Sequence, residues 1–272
     1  MASFLDGILY SADRKRFEQI KNTASGFSAL YVGKNIIRDD IFSLIENYAR
    51  KREMPLEWIR LPIEDRELCA CTFIRGGRIF VMLNSGLPYS KQIFAASHEL
   101  YHIRCFLEDR DYNLAGEGSI LDSQTIDEGT TELEEMEANA FAGILLAPGN
   151  DLDDQMRLYG IDKGQITVAD VLTLMDIFAI PYKAMVLRLM EEQVISREKA
   201  REFLEISSDD IRKRILLTGK AKRWANTPVG SEMLGSLMEN LSANREEESL
   251  PESRLTADWQ RVQNIKTRYG IE

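Results

Sequence analysis

Apolar and polar positions follow two rhythms along the chain, one helical and one strand-like. Residues 41, 44, 45 and 48 are apolar at helical spacing, after a charged segment from Asp13 to Lys21. Basic Arg50, Lys51 and Arg52 suit the negative end of that helix, and Pro55 stops it. Three strand-like runs follow: Trp58 to Ile63, Leu68 to Ile74 and Arg78 to Leu83. Gly76-Gly77 between the last two is a hairpin signal. Asn84 to Pro88 breaks the sheet, and Ser90 is placed to cap what comes next. That is a helix reading QIFAASHELYHI from Gln92 to Ile103, with Glu99 its single formal charge. A helix apolar on nearly every side is a buried helix.

The second half of the chain reads as helical. Thr131 to Ala147 forms a helix with Thr131 and Glu134 at capping-box spacing. Thr167 to Phe178 and Pro181 to Glu192 are an amphipathic pair, with Pro181 at the first position of the second helix. This pair has the outline of a DNA-binding helix-turn-helix, but its second helix offers only Lys183 and Arg188 as bases, which favours core packing. Residues 197–241 are helical. Between 197 and 223, nine Lys/Arg face five acids, which suits either partner docking or amphipathic packing. Residues 242–254 read as a polar linker, and Leu255 to Tyr269 as a short helix with Trp259 and Val262.

Composition narrows the class. With 272 residues, 44% of them hydrophobic and 29% charged, the chain has ample length for a core. A net charge of −10 disfavours a protein built to cover nucleic acid. No run reaches membrane-spanning length, and Asp6 interrupts the N-terminal apolar stretch, so neither a membrane nor a signal peptide is expected. Cys69, Cys71 and Cys105 lack metal-finger spacing and read as reduced core residues, which points to the cytoplasm. Eleven acids against the single base Arg110 crowd residues 108–137, where Gly116, Gly118 and Gly129 indicate loop. The segment reads as a solvated insertion, or as an acidic rim favouring a basic polypeptide.

The chain's two histidines, His98 and His102, stand four apart on the buried helix. Residues i and i+4 lie about 40° apart around a helix and about 6 Å along it, so both imidazoles can converge on one ion. Zinc accepts such ligands. Glu99, about 100° round from His98, would reach a water rather than the ion, as in metal-assisted hydrolysis. The alternative is a pair of hydrogen-bonded core histidines beside a salt-bridged glutamate. A third ligand is expected from the helix at 131–147. There Leu133, Ala140 and Ile144 align, with Glu137 in the middle of the line and Glu134 at its edge, while Glu132 and Glu135 point elsewhere. Glu137 is the first candidate and Glu134 the second. The competing account of Glu137 is a buried glutamate paired with arginine.

The run Ile79 to Asn84, then Lys91 to Phe94, His98 to His102, Glu137 to Ala142 and Leu145 to Pro148, resembles the ImmA/IrrE family of metallo-endopeptidases in order and spacing. The likeness covers about 58 to 195. It implies zinc on His98, His102 and Glu137, with Glu99 as general base. It also implies a prokaryotic or mobile-element setting in which a helix-turn-helix repressor is cleaved. Tyr101 stands where the family mostly has glycine, and Ala95 to Ser97 where it usually has threonine-leucine-alanine. Four residues after Glu137 comes Phe141 rather than an acid, so a partner orienting a histidine must come from elsewhere. Tyr101, Tyr112 and Tyr182 are candidates to stabilise an oxyanion.

The expected fold is therefore α+β: a small antiparallel sheet packed on a zincin-type helical core, followed by a mostly helical C-terminal region. The expected organisation is an N-terminal helical segment at 1–55, a metallopeptidase core with its trailing helix pair at 56–195, and a C-terminal region at 196–272. The expected activity is zinc-dependent cleavage of a protein substrate, with no direct nucleic-acid binding. The competing class is a non-catalytic regulatory or toxin–antitoxin binding protein using the same fold.

Overall fold

Helices α1 (Leu9–Ala12) and α2 (Arg14–Tyr31) open the chain in a computed structural model, which describes residues 4–33, 36–65, 67–108, 118–122, 125, 130–230, 232–247 and 249–271. Asp13 caps α2 by accepting from the Arg16 backbone N–H. Phe17, Ile20, Ala24 and Phe27 bury one stripe of α2 against the centre of the protein. Helix α3 (Ile41–Arg50) buries Ile41, Ile45, Tyr48 and Ala49 and leads to the sheet.

Strands β1 (Leu56–Leu61), β2 (Leu68–Arg75) and β3 (Arg78–Asn84) are the three runs expected from alternation. Gly76 and Gly77 both take positive φ (58° and 72°), the backbone a two-residue hairpin turn requires. The sheet has five strands in the order β4-β2-β3-β1-β5, with β4 at Ser119–Asp122 and β5 at Met233–Leu234. It is mixed: β1 runs parallel to β3, and the other pairs are antiparallel. Because β2 and β3 form the hairpin, β1 pairs with the far side of β3.

One of two central helices lies against this sheet, and the second packs on the first. Helix α4 (Tyr89–Glu108) is buried at Ser90 and continuously from Gln92 to Ile103, and helix α5 (Leu133–Leu146) is buried from Ala140 to Leu146. Ser90 lies inside α4 rather than capping it. No capping box forms on α5: Glu132 is its N-cap and makes no side-chain cap bond. The acid-rich stretch is not all loop, since Ser119–Asp122 pairs with β2 as β4. Four residues are too few for a period-2 pattern to register among so many acids.

Helix α6 (Gly149–Leu158) and the pair α7 (Val168–Phe178) and α8 (Tyr182–Glu191) complete the core. A Thr167/Asp170 capping box starts α7, and Pro181 is the N-cap of α8. Helix α8 buries Ala184, Met185, Val186, Arg188, Leu189 and Met190, so packing rather than exposure occupies most of its surface. Helices α9 (Arg197–Leu204), α10 (Ser208–Thr218) and α11 (Lys222–Ala225) follow. Trp224 of α11 is buried, and its Nε1 donates to Asp176 O at 2.9 Å. The stretch read as a polar linker is largely helical. Helix α12 (Leu237–Glu246) enters it and α13 (Glu252–Tyr269) leaves it. Among the described residues no helix is long and apolar enough to cross a membrane.

Candidate metal centre

Helix α4 is anchored before it reaches its histidines. Asn84, at the end of β3, accepts from the Ile63 and Gly86 N–H groups and donates to Asp65 O and Leu68 O, so its amide is fully used. Gln92 donates to Ser85 O and Leu87 O and accepts from Arg60 Nη2 at 2.7 Å. Both buried amides fix the turn from sheet to helix.

Two turns further on, His98 and His102 leave one face of α4, fully buried, with their Nε2 atoms 3.1 Å apart. Helix α5 packs against this face and presents Glu134, Glu135 and Asn139. Asn139 Oδ1 lies 3.0 Å from His98 Nδ1, and Glu134 Oε1 lies 3.1 Å from His102 Nδ1. The Asn139 amide is oriented by its own Nδ2, which donates to Thr125 O at 3.2 Å. Both oxygens accept, so each Nδ1 carries the proton and each Nε2 keeps a lone pair; this tautomer follows from the hydrogen-bond network.

Glu135 completes the group. Its Oε2 lies 3.0 Å from His98 Nε2, and its Oε1 lies 3.5 Å from His102 Nε2. Ligand atoms of His98, His102 and Glu135 all fall within 4.8 Å of one another. Two imidazole lone pairs and a carboxylate thus converge with no donor among them. Burying them so is unfavourable unless a cation lies between. Two nitrogens and one oxygen, with a fourth position open, are the donor set of catalytic zinc sites.

The local field favours a positive charge. Burial lowers the pKa of His102, but its bond to Glu134 and the charges of Glu99, Glu135 and Glu134 outweigh this and raise it. Burial raises the pKa of Glu135, and the close approach of His98 with the charge of His102 reverses that to a net lowering.

Glu137 does not join the cluster. It is buried and accepts from Arg16 Nε, from Arg16 Nη2 at 2.9 Å and from the Tyr101 hydroxyl. Where Glu137 was expected as third ligand, the structure pairs it with Arg16 and Tyr101 and places Glu135 beside the two imidazoles. Two residues along a helix are about 200° apart, so a face carrying one cannot carry the other. Because α5 is buried on almost every side, its apolar line does not mark the face that meets α4. Glu134, the second candidate, reaches His102 through the outer nitrogen instead. A usable signal was present: Glu135 and Asn139 are an i, i+4 pair, and Asn139 is the last polar side chain before an apolar run to Pro148. Asn139 is also the histidine-orienting partner expected from elsewhere.

Glu99, on the next azimuth of α4, is fully buried. Its Oε2 accepts from the Ser119 hydroxyl, and its Oε1 has no hydrogen-bond partner among the described residues. Burial, then the charge of Glu99, pushes the nearby Cys71 thiol up to about 11, so Cys71 is a neutral side chain and no nucleophile. Of the tyrosines considered for an oxyanion, Tyr101 is bonded to Glu137 and Tyr182 donates to Phe203 O at 3.3 Å. Tyr112 lies outside the described residues.

Residues 59–190 match the family model of the IrrE N-terminal-like domain, a peptidase family. No curated protein matches the chain.

Proposed function

Taking as premise that residues 59–190 belong to the IrrE N-terminal-like peptidase family, we propose that the protein is a zinc-dependent endopeptidase acting on a protein substrate. The observation that carries this reading is the convergence of three acceptor groups, His98 Nε2, His102 Nε2 and the Glu135 carboxylate, beside a buried glutamate with one oxygen unengaged. His98, His102 and Glu135 would hold the ion. When bound, zinc supplies Lewis acidity, polarising the scissile carbonyl and acidifying water. Asn139 and Glu134 keep both imidazoles in the tautomer that presents Nε2. Glu99 takes the proton of the attacking water on its unengaged oxygen and delivers it to the leaving amine.

Strand β4 is at the edge of the sheet, and its Ser119 touches Glu99, so this edge lies beside the site. An extended substrate segment would pair with β4, the backbone supplying most of its hydrogen bonds. Acids near the site, with a chain charge of −10, favour a basic segment. A DNA-binding repressor in a prokaryotic cytoplasm is a substrate of that kind.

The test compares wild type with Glu99→Gln on a quenched-fluorescent library of basic peptides, with zinc content measured in both. Equal zinc and a fall in cleavage of about 10²–10⁴-fold in the variant is the expected result. Cleavage that survives the substitution contradicts the reading. A biological effect retained by Glu99→Gln would favour a binding protein instead.

A further inference from the structure

Ser119, on edge strand β4, reaches Glu99 with its side chain. Gly118, immediately before it, has φ +69°, and a Cβ there would stand 2.8 Å from Thr72 O. Only glycine lets the chain pass so close to β2, and this seats Ser119 opposite Thr72 in the β2–β4 register. The Ser119 oxygen accepts from the Thr72 N–H at 3.3 Å, and its hydroxyl hydrogen goes to Glu99 Oε2 at 2.5 Å. Both Ser119 and Glu99 are buried, which shields that bond from bulk solvent.

The other Glu99 oxygen, also buried, has no hydrogen-bond partner among the described residues. A carboxylate held by one oxygen cannot swing about its terminal bond, and the free oxygen stays in one place. We propose that Ser119 is a positioning residue for Glu99: it fixes one oxygen so that the other remains aimed at the water. The role explains why an inward serine occupies a strand that otherwise alternates between exposed Ile120 and buried Leu121. Thr72 sets the hydroxyl's direction by occupying a lone pair of its oxygen. The strand that would receive substrate therefore also holds the base.

The proposal rests on the peptidase reading for its kinetic consequence, so it is tested on two readouts. In the infrared difference between wild type and Glu99→Gln, the Glu99 carboxylate stretches are isolated. The same difference taken in a Ser119→Ala background is expected to show the antisymmetric stretch shifted to higher frequency, whether or not a cleavable peptide has been found. With the library peptide cleaved fastest by wild type, Ser119→Ala is expected to lower kcat about 10–100-fold, the usual range for a partner that orients a site residue. KM and zinc content are expected to be unchanged. Ser119→Thr, which restores a hydroxyl, is expected to recover kcat and the infrared band. An unshifted band, a kcat within twofold of wild type, or a loss carried by KM alone overturns the proposal. Failure of every peptide to be cleaved would count against the peptidase reading and leave the infrared result to decide Ser119.

Discussion

Glu135 and Glu137 stand two residues apart on one helix, the first half-buried and the second buried, and the protein treats them in opposite ways. Glu137 meets the Arg16 guanidinium and the Tyr101 hydroxyl, so donors already surround it and its charge is balanced within the fold. Glu135 meets two imidazole nitrogens whose protons point the other way. One carboxylate ties helix α2 to the core, and the other joins two imidazoles in a group that could hold a cation. What a buried acid does is thus set by what faces it, and burial alone does not separate structure from chemistry.

The sharpest way to break this comparison is to exchange the two effects. Glu135→Gln should abolish zinc retention, from about one ion per chain to about a tenth or less after dialysis, because a neutral amide replaces the anionic ligand. Its apo stability should change little, as read by urea denaturation. Glu137→Gln should do the reverse, keeping zinc while lowering stability by about 2 kcal/mol. A fully buried pair losing one partner costs about 3–5 kcal/mol, and the 43% exposure of the Arg16 side chain reduces that. Zinc loss in the second variant, or its retention in the first, would reverse the assignment.

Smaller changes grade the metal side. Asn139→Ala removes the acceptor that fixes the His98 tautomer, and should weaken zinc binding about 10–100-fold in a competitive chelator titration. The exposed position of Glu134 predicts a weaker effect, near the lower end of that range, for Glu134→Ala. Tyr101→Phe is expected to cost about 1 kcal/mol of stability with zinc unaffected, since Arg16 still balances Glu137. A larger effect on zinc than on stability would place Tyr101 on the wrong side of the comparison.

Much of this was legible in the residues. The His98/His102 spacing and the lone charge of Glu99 on an apolar helix placed both histidines on one buried face, and the Gly76-Gly77 hairpin and three strands were readable from alternation. The place of Glu135 beside the histidines was not, because α5 is apolar nearly all round and its strongest line runs through Glu137. Only the neighbours packed on it, chiefly helices α2 and α4, distinguish its sides. Strand β4 escaped notice for a different reason: four residues among acids carry too little pattern, and β2 supplies the pairing that makes them a strand. Arg16 could not be matched to Glu137 from sequence, since 121 positions separate them and nothing local in a charged helix names its distant partner. The charged stretch at 242–254 has the polarity of a linker, yet exposed helices tolerate such residues well, and helices α12 and α13 run into it from both sides.

A crystal of the zinc-loaded protein, measured on both sides of the zinc absorption edge, tests the central claim directly. One anomalous peak is expected at about 2.0–2.2 Å from His98 Nε2, His102 Nε2 and a Glu135 oxygen. A peak bonded to Glu137, or none between the two imidazoles, would contradict it.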